Sequence, residues 1–312
     1  MNTSETKQST VVTQCFKFEG INAQQIGKKI GENQPIENAQ QIPKVAAIHD
    51  LSGFGRCSLT VIIPILSSMG IQVCPVPTAV LSAHTGFANM VLKDLTDFLT
   101  PCYNHYNKLG LSFDAIYSGF LSASAQVDSC LEFFHGFDSL KVVDPVMGDN
   151  GKPYKTYTKE LCNRMKELAK VADIITPNLT EAAILLDENY TPRLSESTAR
   201  EWLQRLCEYS TNTIITGVII DGNSPNTYCN IGMSRECNIL IRADYEQIPV
   251  HYPGTGDIFA SVVTGSLLRG SNLESAIVNA TNFAQKSVQI TYDFGGEPRN
   301  GVMFEKILHE LR

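Results

Sequence analysis

Lys44-Val45-Ala46-Ala47-Ile48 is a short β-type run that ends in His49-Asp50 and passes into a Gly-rich turn, Ser52-Gly53-Phe54-Gly55. This unit decides the fold because it recurs. Similar apolar runs lie at 71–76, 115–117, 141–143, 173–176 and 213–217, and stretches of helical length separate them, among them 122–135, 158–171 and 195–209. Strands that alternate with helices predict an α/β protein in three layers, a mainly parallel central sheet covered by helices on both faces. Ligand chemistry is then expected on loops at the carboxyl ends of the strands.

Upstream of this pattern, residues 1–43 are polar and Gln-rich, with one short apolar cluster from Val11 to Phe18, and read as an extension. No fixed-period repeat and no linker divides 44–312, which reads as one domain. The chain has 312 residues, 43% hydrophobic and 18% charged, so it can bury a large core and is neither a disordered chain nor a coiled coil. Its net charge of -7 disfavours nucleic acid or an anionic membrane as a partner held by bulk electrostatics. A phosphate ligand must instead be bound by local geometry. Between Arg56 and Lys93 there are 36 positions without Lys, Arg, Asp or Glu. Pro64, Gly70, Pro75 and Pro77 are expected to break this run into pieces too short to span a bilayer, giving a helix and then a buried strand. Nine scattered cysteines without a C-x-x-C pair read as reduced thiols, and the first residues carry no import pattern, so a cytoplasmic location is expected.

Three segments carry chemistry. In Pro253-Gly254-Thr255-Gly256-Asp257 a Gly-x-Gly bend opens the apolar helix that begins Ile258-Phe259-Ala260. Outward N–H groups at the positive end of a helix dipole form an anion nest. Asp257 in the first turn is placed to take a proton from a hydroxyl while the nest stabilises a transferring phosphoryl group. The competing reading makes Asp257 a dipole-complementing residue and the glycines a turn. In Val143-Asp144-Pro145-Val146-Met147-Gly148-Asp149-Asn150-Gly151, one carboxylate ends a strand and another lies on the loop beyond it, a donor set suited to Mg²⁺ on nucleotide phosphates. Asp149-Asn150-Gly151 is equally a turn signature. In Thr176-Pro177-Asn178-Leu179-Thr180-Glu181, Asn178 and Glu181 have the spacing of a capping box, against a role near the nucleotide phosphates and their hydrated cation. Thr216, at a strand end, adds a hydroxyl to the same rim.

Other readings fail on single residues. Gly53-x-Gly55 resembles the start of a dinucleotide fingerprint, but Ser58 stands where a third Gly is required and no acidic residue follows about twenty positions on. A nicotinamide dehydrogenase is thereby disfavoured. No Walker-type G-x-x-x-x-G-K-[ST] run and no ligand-spaced His or Cys pair occurs. His84, a lone histidine in Ser82-Ala83-His84-Thr85-Gly86, reads as a hydrogen-bonded group rather than a general base.

In order, H-D-L-S-G-F-G at 49–55, T-A-V-L-S-A-H-T-G at 78–86, V-D-P-V-M-G-D-N-G at 143–151, I-I-T-P-N-L-T-E at 174–181 and P-G-T-G-D at 253–257 resemble the pyridoxal kinase family of the ribokinase-like superfamily. The resemblance runs from about Lys44 to the C-terminus. It implies a three-layer α/β/α ribokinase-like domain, commonly a homodimer, in which a substrate hydroxymethyl group accepts the γ-phosphoryl of ATP. By the same carry-over Asp257 is the base and Gly254, Thr255 and Gly256 form the nest. Asp144, Asp149, Asn178, Glu181 and Thr216 face ATP and its cation, with Asp149 and Glu181 toward Mg²⁺ and a monovalent cation such as K⁺ beside it. Asp50, Ser52, His84 and Thr85 surround the substrate ring. The expected substrate is a B6 vitamer: pyridoxal, pyridoxine or pyridoxamine. One departure keeps a second substrate open, because Asp50-Leu51 stands where many pyridoxal kinases carry Ser-His, and D-x-S-G-x-G is closer to hydroxymethylpyrimidine phosphate kinase. A nucleotide-binding regulator without turnover is disfavoured by the presence of Asp257.

Because residues 1–43 carry no motif and too little apolar sequence to build a core, a chain starting near Lys44 should fold and retain its kcat. A circular-dichroism melt and a steady-state assay of that truncation check this, and loss of either property would give the extension a packing role.

Overall fold

The structure, a computed structural model, describes residues 42–154 and 157–312; the extension expected over 1–43 lies, apart from its last two residues, outside them. The chain begins with β1 (Lys44–Ser52), α1 (Leu59–Ser68), β2 (Gln72–Leu81), β3 (Leu92–Asp94) and α2 (Thr96–Lys108). It continues through β4 (Ala115–Ser118), α3 (Ala125–Gly136), β5 (Leu140–Val143), the hairpin β6 (Gly148–Asp149) and β7 (Lys152–Pro153), and α4 (Lys159–Val171). Then come β8 (Ile174–Ile175), α5 (Leu179–Leu186), α6 (Glu196–Leu206), β9 (Asn212–Val218), β10 (Thr227–Ser234), β11 (Ile241–Glu246), α7 (Thr255–Leu268) and α8 (Leu273–Phe294), before a closing 3₁₀ segment, Phe304–Leu311.

The main sheet has the order β11-β10-β9-β8-β5-β4-β1-β2-β3. The run from β2 to β9 is parallel, as the alternation of strands and helices predicts, and β3, β10 and β11 add antiparallel margins that the sequence reading did not anticipate. Period-two alternation sorts the core into two halves. Ala46, Ile48, Ile116, Val143, Ile175 and Ile215 face the layer of α2 to α6. Val45, Ala47, Ala115, Tyr117, Val142, Ile174 and Ile214 face α1, α7, α8 and the 3₁₀ segment. Both faces are buried, which is why the strands read as continuous apolar runs. Among the described residues no helix is long and apolar enough to cross a membrane.

Helix starts follow local capping chemistry. Thr158 and Ser195 accept N–H bonds from Leu161 and Thr198, and Asn272 accepts one from Ser275. The helix and the strand expected over the charge-free run are both present, but three of its prolines lie inside them rather than between them. Pro64 lies inside α1, where a missing backbone bond costs about 3 kcal/mol. Five buried side chains, Leu59, Val61, Ile62, Ile65 and Leu66, each contribute roughly 1.5–3 kcal/mol and outweigh it. Pro75 and Pro77 sit within β2, which therefore runs past the expected end at residue 76. At those positions β2 pairs only with β1, because β3 joins it later, at Ala79 to Leu81. Proline on an unpaired strand edge removes no ladder bond. β1 likewise continues beyond His49, through a register shift between His49 and Leu51 that keeps Leu51 and Ser52 paired with β2.

Gly119, just after β4, lies against the fully buried ring of His49, which meets Tyr117 edge-on with centroids 4.6 Å apart. A Cβ at Gly119 would overlap that ring, and the ring has no free volume to enter. Gly119→Ala should destabilise the fold by about 1–3 kcal/mol, read as a lower urea midpoint at unchanged m-value.

Candidate active site

The parallel strands end along one rim, and the alternation that sorts the core also aligns polar residues there. Positions 49 on β1, 117 on β4, 144 after β5 and 176 after β8 continue the face turned toward α7. α7 begins at Gly254, whose φ of 83° lies in the left-handed region; a Cβ there would overlap the Arg56 carbonyl, so glycine is required both by conformation and by space. The first intrahelical bond runs from Ile258 N to Gly254 O at 3.0 Å, which leaves the N–H groups of Thr255, Gly256 and Asp257 facing outward at the helix N-terminus. Gly256 is exposed, and a Cβ there would meet only Asp144 Oδ2, at 3.8 Å. The space over the nest is therefore open and bordered by a carboxylate.

Asp257 Oδ2 accepts the backbone N–H of Ser58 at 2.8 Å. Burial raises the Asp257 carboxyl to about 7, with the Ser58 N–H opposing the rise and the charge of Asp50 adding to it. Asp50 is itself buried and pushed up by desolvation, opposed by hydroxyls of Ser58 and Ser52; the Ser52 bond is 2.8 Å. Asp144 is held well above the ordinary carboxylate range by burial and by the charges of Glu181 and Asp257, with the Thr176 hydroxyl opposing. Two buried ring side chains of the neighbouring strands are neutral: burial drives His49 down to about 3, and it raises the Tyr117 phenol. Among the described residues no ion pair involves Asp50, Asp144, Glu181 or Asp257. When these groups ionise, no side chain paired with them among the described residues supplies the balancing charge.

Glu181 and Asn178 form the capping box that their spacing predicts: Asn178 Oδ1 accepts from Thr180 N and Glu181 N at 2.9 and 3.0 Å, and Glu181 Oε2 accepts from Asn178 N at 2.8 Å. The box reaches further than a cap. Glu181 Oε1 accepts from Met147 N at 3.0 Å, and Asn178 Nδ2 donates to Gly148 O at 2.8 Å. These bonds tie α5 to the β6–β7 hairpin. Burial raises Glu181 to about 8 despite those backbone donors. In the hairpin Asn150 and Gly151 both have positive φ, 50° and 75°, the conformation of the Asn-Gly turn. That turn carries Asp149, which lies 3.6 Å from His251 Nε2 and accepts from Asn150 N at 2.8 Å. Thr216 bridges to Asn178 and so joins the same rim.

Around Asp50 the loops after β1 and β2 are zipped together by Gly53 N to Leu81 O, Phe54 N to Ser82 O and His84 N to Phe54 O. Both His84 nitrogens are engaged: Nδ1 accepts from Gly86 N at 3.1 Å, so Nε2 carries the proton donated to Arg299 O at 2.8 Å. His84 is thus a tautomer-fixed structural ring, and it meets Phe87 edge-on. Thr85 beside it is exposed. Sequence reasoning missed Ser58, whose contribution is a backbone N–H and leaves no mark on residue type. It also missed Tyr117 and Tyr154, whose phenols feel Asp144 and Asp257. Counting Tyr117 two positions on from Ala115, on the face that carries Asp144, would have found the first.

A model of the phosphomethylpyrimidine kinase family matches residues 63–301. A Bacteroides thetaiotaomicron protein provisionally assigned as a phosphomethylpyrimidine kinase, crystallised in an orthorhombic form with pyridoxal, is 44% identical, with a TM-score of 0.82 over 87% of this chain and 96% of that one. Pyridoxal kinase of Arabidopsis thaliana is 28% identical over 245 residues, 73% of this chain and 75% of that protein. Hydroxymethylpyrimidine/phosphomethylpyrimidine kinase of Staphylococcus aureus is 28% identical over 195 residues, 58% of this chain and 64% of that protein. With the fold, the Gly-Thr-Gly-Asp helix start and these relatives in agreement, the chain belongs to the phosphomethylpyrimidine kinase family, ribokinase-like kinases among which the pyridoxal kinases are found.

Proposed function

We propose that this kinase transfers the γ-phosphoryl group of ATP to the hydroxymethyl group of a B6 vitamer. The observation that carries the reading is Asp257: a carboxylate in the first turn of α7, beside the nest opened by Gly254-Thr255-Gly256, oriented by the Ser58 N–H and brought to about 7 by burial. A base with a pKa near the working pH combines a useful deprotonated fraction with useful basicity. The hydroxymethyl oxygen attacks the γ-phosphorus, its proton passes to Asp257, the bond to the β,γ-bridging oxygen breaks, and ADP leaves. The outward N–H groups of the nest stabilise the charge on the transferring group.

The carboxylates of the rim fit a divalent cation brought with the nucleotide. Asp149 has a partly exposed carboxylate available to it, whereas Glu181, with both oxygens on backbone N–H groups, reaches such an ion through its water shell. When bound, Mg²⁺ supplies neutralisation of phosphate charge. Asp144, Asn178 and Thr216 line the nucleotide side of the rim, and Asp50, Ser52, Thr85 and the His84 ring border the substrate side. A B6 vitamer is favoured by the Ser-x-His-Thr-Gly segment and by the 44%-identical relative crystallised with pyridoxal. Asp50, in place of the serine of many pyridoxal kinases, favours a pyrimidine instead, which makes hydroxymethylpyrimidine the comparison substrate.

The test is ADP production by purified protein with each B6 vitamer and with hydroxymethylpyrimidine, in Mg²⁺ and in excess chelator. At least one vitamer should show higher kcat/KM than hydroxymethylpyrimidine, and turnover should vanish in chelator. The reverse substrate order would assign the protein to pyrimidine phosphorylation, and full activity in chelator would remove the roles given to Asp149 and Glu181.

A further inference from the structure

Arg56 lies two residues before Ser58, in the loop between β1 and α1, and is enclosed by two distant parts of the chain. On one side is Gly254 of the anion nest, where any Cβ would overlap the Arg56 carbonyl. On the other is Gly301, with φ 77°, where a Cβ would fall 2.8 Å from Arg56 Cβ and 2.9 Å from its backbone N. The side chain then binds the C-terminal segment: Nε lies 2.6 Å from Glu305 Oε1, and Nη1 donates to Asn300 O at 3.2 Å. The same segment holds the neighbouring loop, because Arg299 O accepts from His84 and the Arg299 guanidinium lies 5.6 Å from the Phe87 ring. Residues 299–305 thus strap both substrate-side loops to the start of α7.

What the strap restrains is visible at Ser58. Its φ is 53° with ψ −132°, a positive-φ conformation that a non-glycine residue adopts only when its surroundings impose it. In that conformation its N–H points at Asp257 Oδ2. We propose that Arg56 and Glu305 are a positioning pair, through which the C-terminal segment holds the 53–58 loop in the strained conformation that presents the Ser58 N–H to Asp257. The inference rests on the reading of Asp257 as the base. The two side chains are 30% and 49% exposed, so as a bare ion pair they contribute little to stability. A kinetic effect without a comparable loss of stability therefore distinguishes positioning from simple bracing.

Glu305→Gln and Arg56→Gln should each lower kcat by roughly 10- to 100-fold with KM for ATP changed less than about threefold. The Ser58 N–H draws the Asp257 carboxyl down. Losing it must raise the midpoint of the acidic limb of the kcat/KM–pH profile above that of the wild type. The other titratable groups felt by Asp257 are Asp50 on β1, Cys57 next to Ser58, Tyr117 on β4, Asp144 after β5 and Tyr154 after β7, and neither substitution removes any of them. The exchange Arg56→Glu with Glu305→Arg should restore both kcat and midpoint toward wild type. If Arg56→Gln fails to fold, the half-exposed Glu305→Gln carries the comparison alone. Folded variants with wild-type kcat and midpoint overturn the proposal, and so does a lowered kcat with an unmoved midpoint. Asp257→Asn is run in parallel: should it keep wild-type turnover, the reading of the base fails, whereas its loss of turnover beside unaffected Glu305→Gln rejects the positioning pair alone.

Discussion

A 2.8 Å hydrogen bond from the Ser58 N–H to Asp257 joins the loop after the first strand to the first turn of α7, across 199 residues of sequence. The elements around it serve that contact. Gly254 has no side chain, so α7 can begin against the Arg56 carbonyl. Ser58 accepts a positive-φ conformation. The cost of that conformation, about 1–3 kcal/mol, falls on a residue whose amide is aimed at the one carboxylate in the first turn of α7. Strain of this size persists only where surrounding structure over-determines it, and the glycines at 254 and 301 are what allow the chain to crowd in.

The second physical theme is a set of buried carboxyl groups with no cationic side chain beside them among the described residues. Asp50, Asp144, Glu181 and Asp257 are all raised by burial above the ordinary carboxylate range, and the buried rings of His49 and Tyr117 are neutral. A fold selected for stability alone would pair such groups or replace them, because a buried carboxylate without a cation is costly. Here backbone amides, hydroxyls and the helix dipole moderate the cost without cancelling it. Such a site is matched to a divalent cation, and a nucleotide brings one bound to its phosphates.

Much of the local structure was legible in the sequence. Asn178 and Glu181 are a capping box, and the box is also what brings Glu181 to Met147 and Asn178 to Gly148. Asp149-Asn150-Gly151 is a turn, and the turn is what carries Asp149 to the rim. The structural reading of each segment is present, and the functional one is compatible with the same geometry. The glycines and Asp257 announced a helix start with a carboxylate in its first turn, and the structure has that. Other features left no trace. Pro75 and Pro77 look like breakers until the strand is known to lack a second neighbour there. The Arg56–Glu305 contact spans 249 residues between side chains of ordinary surface type. Ser58 acts through a backbone amide, and its residue type says nothing of the conformation that aims it.

The claim on which the account stands is that Asp257 receives the proton of the acceptor hydroxyl rather than simply complementing the dipole of α7. Asp257→Asn separates the two because it keeps size and hydrogen bonding while removing the base. The measurement is kcat of that variant beside its ATP affinity and thermal midpoint. A base predicts a fall in kcat on the order of 10² to 10⁴, roughly 3–5.5 kcal/mol of barrier, with ATP affinity and folding little changed. A dipole-complementing residue accounts for only about 0.3–1 kcal/mol. A folded variant that keeps more than about a tenth of wild-type kcat would contradict the assignment.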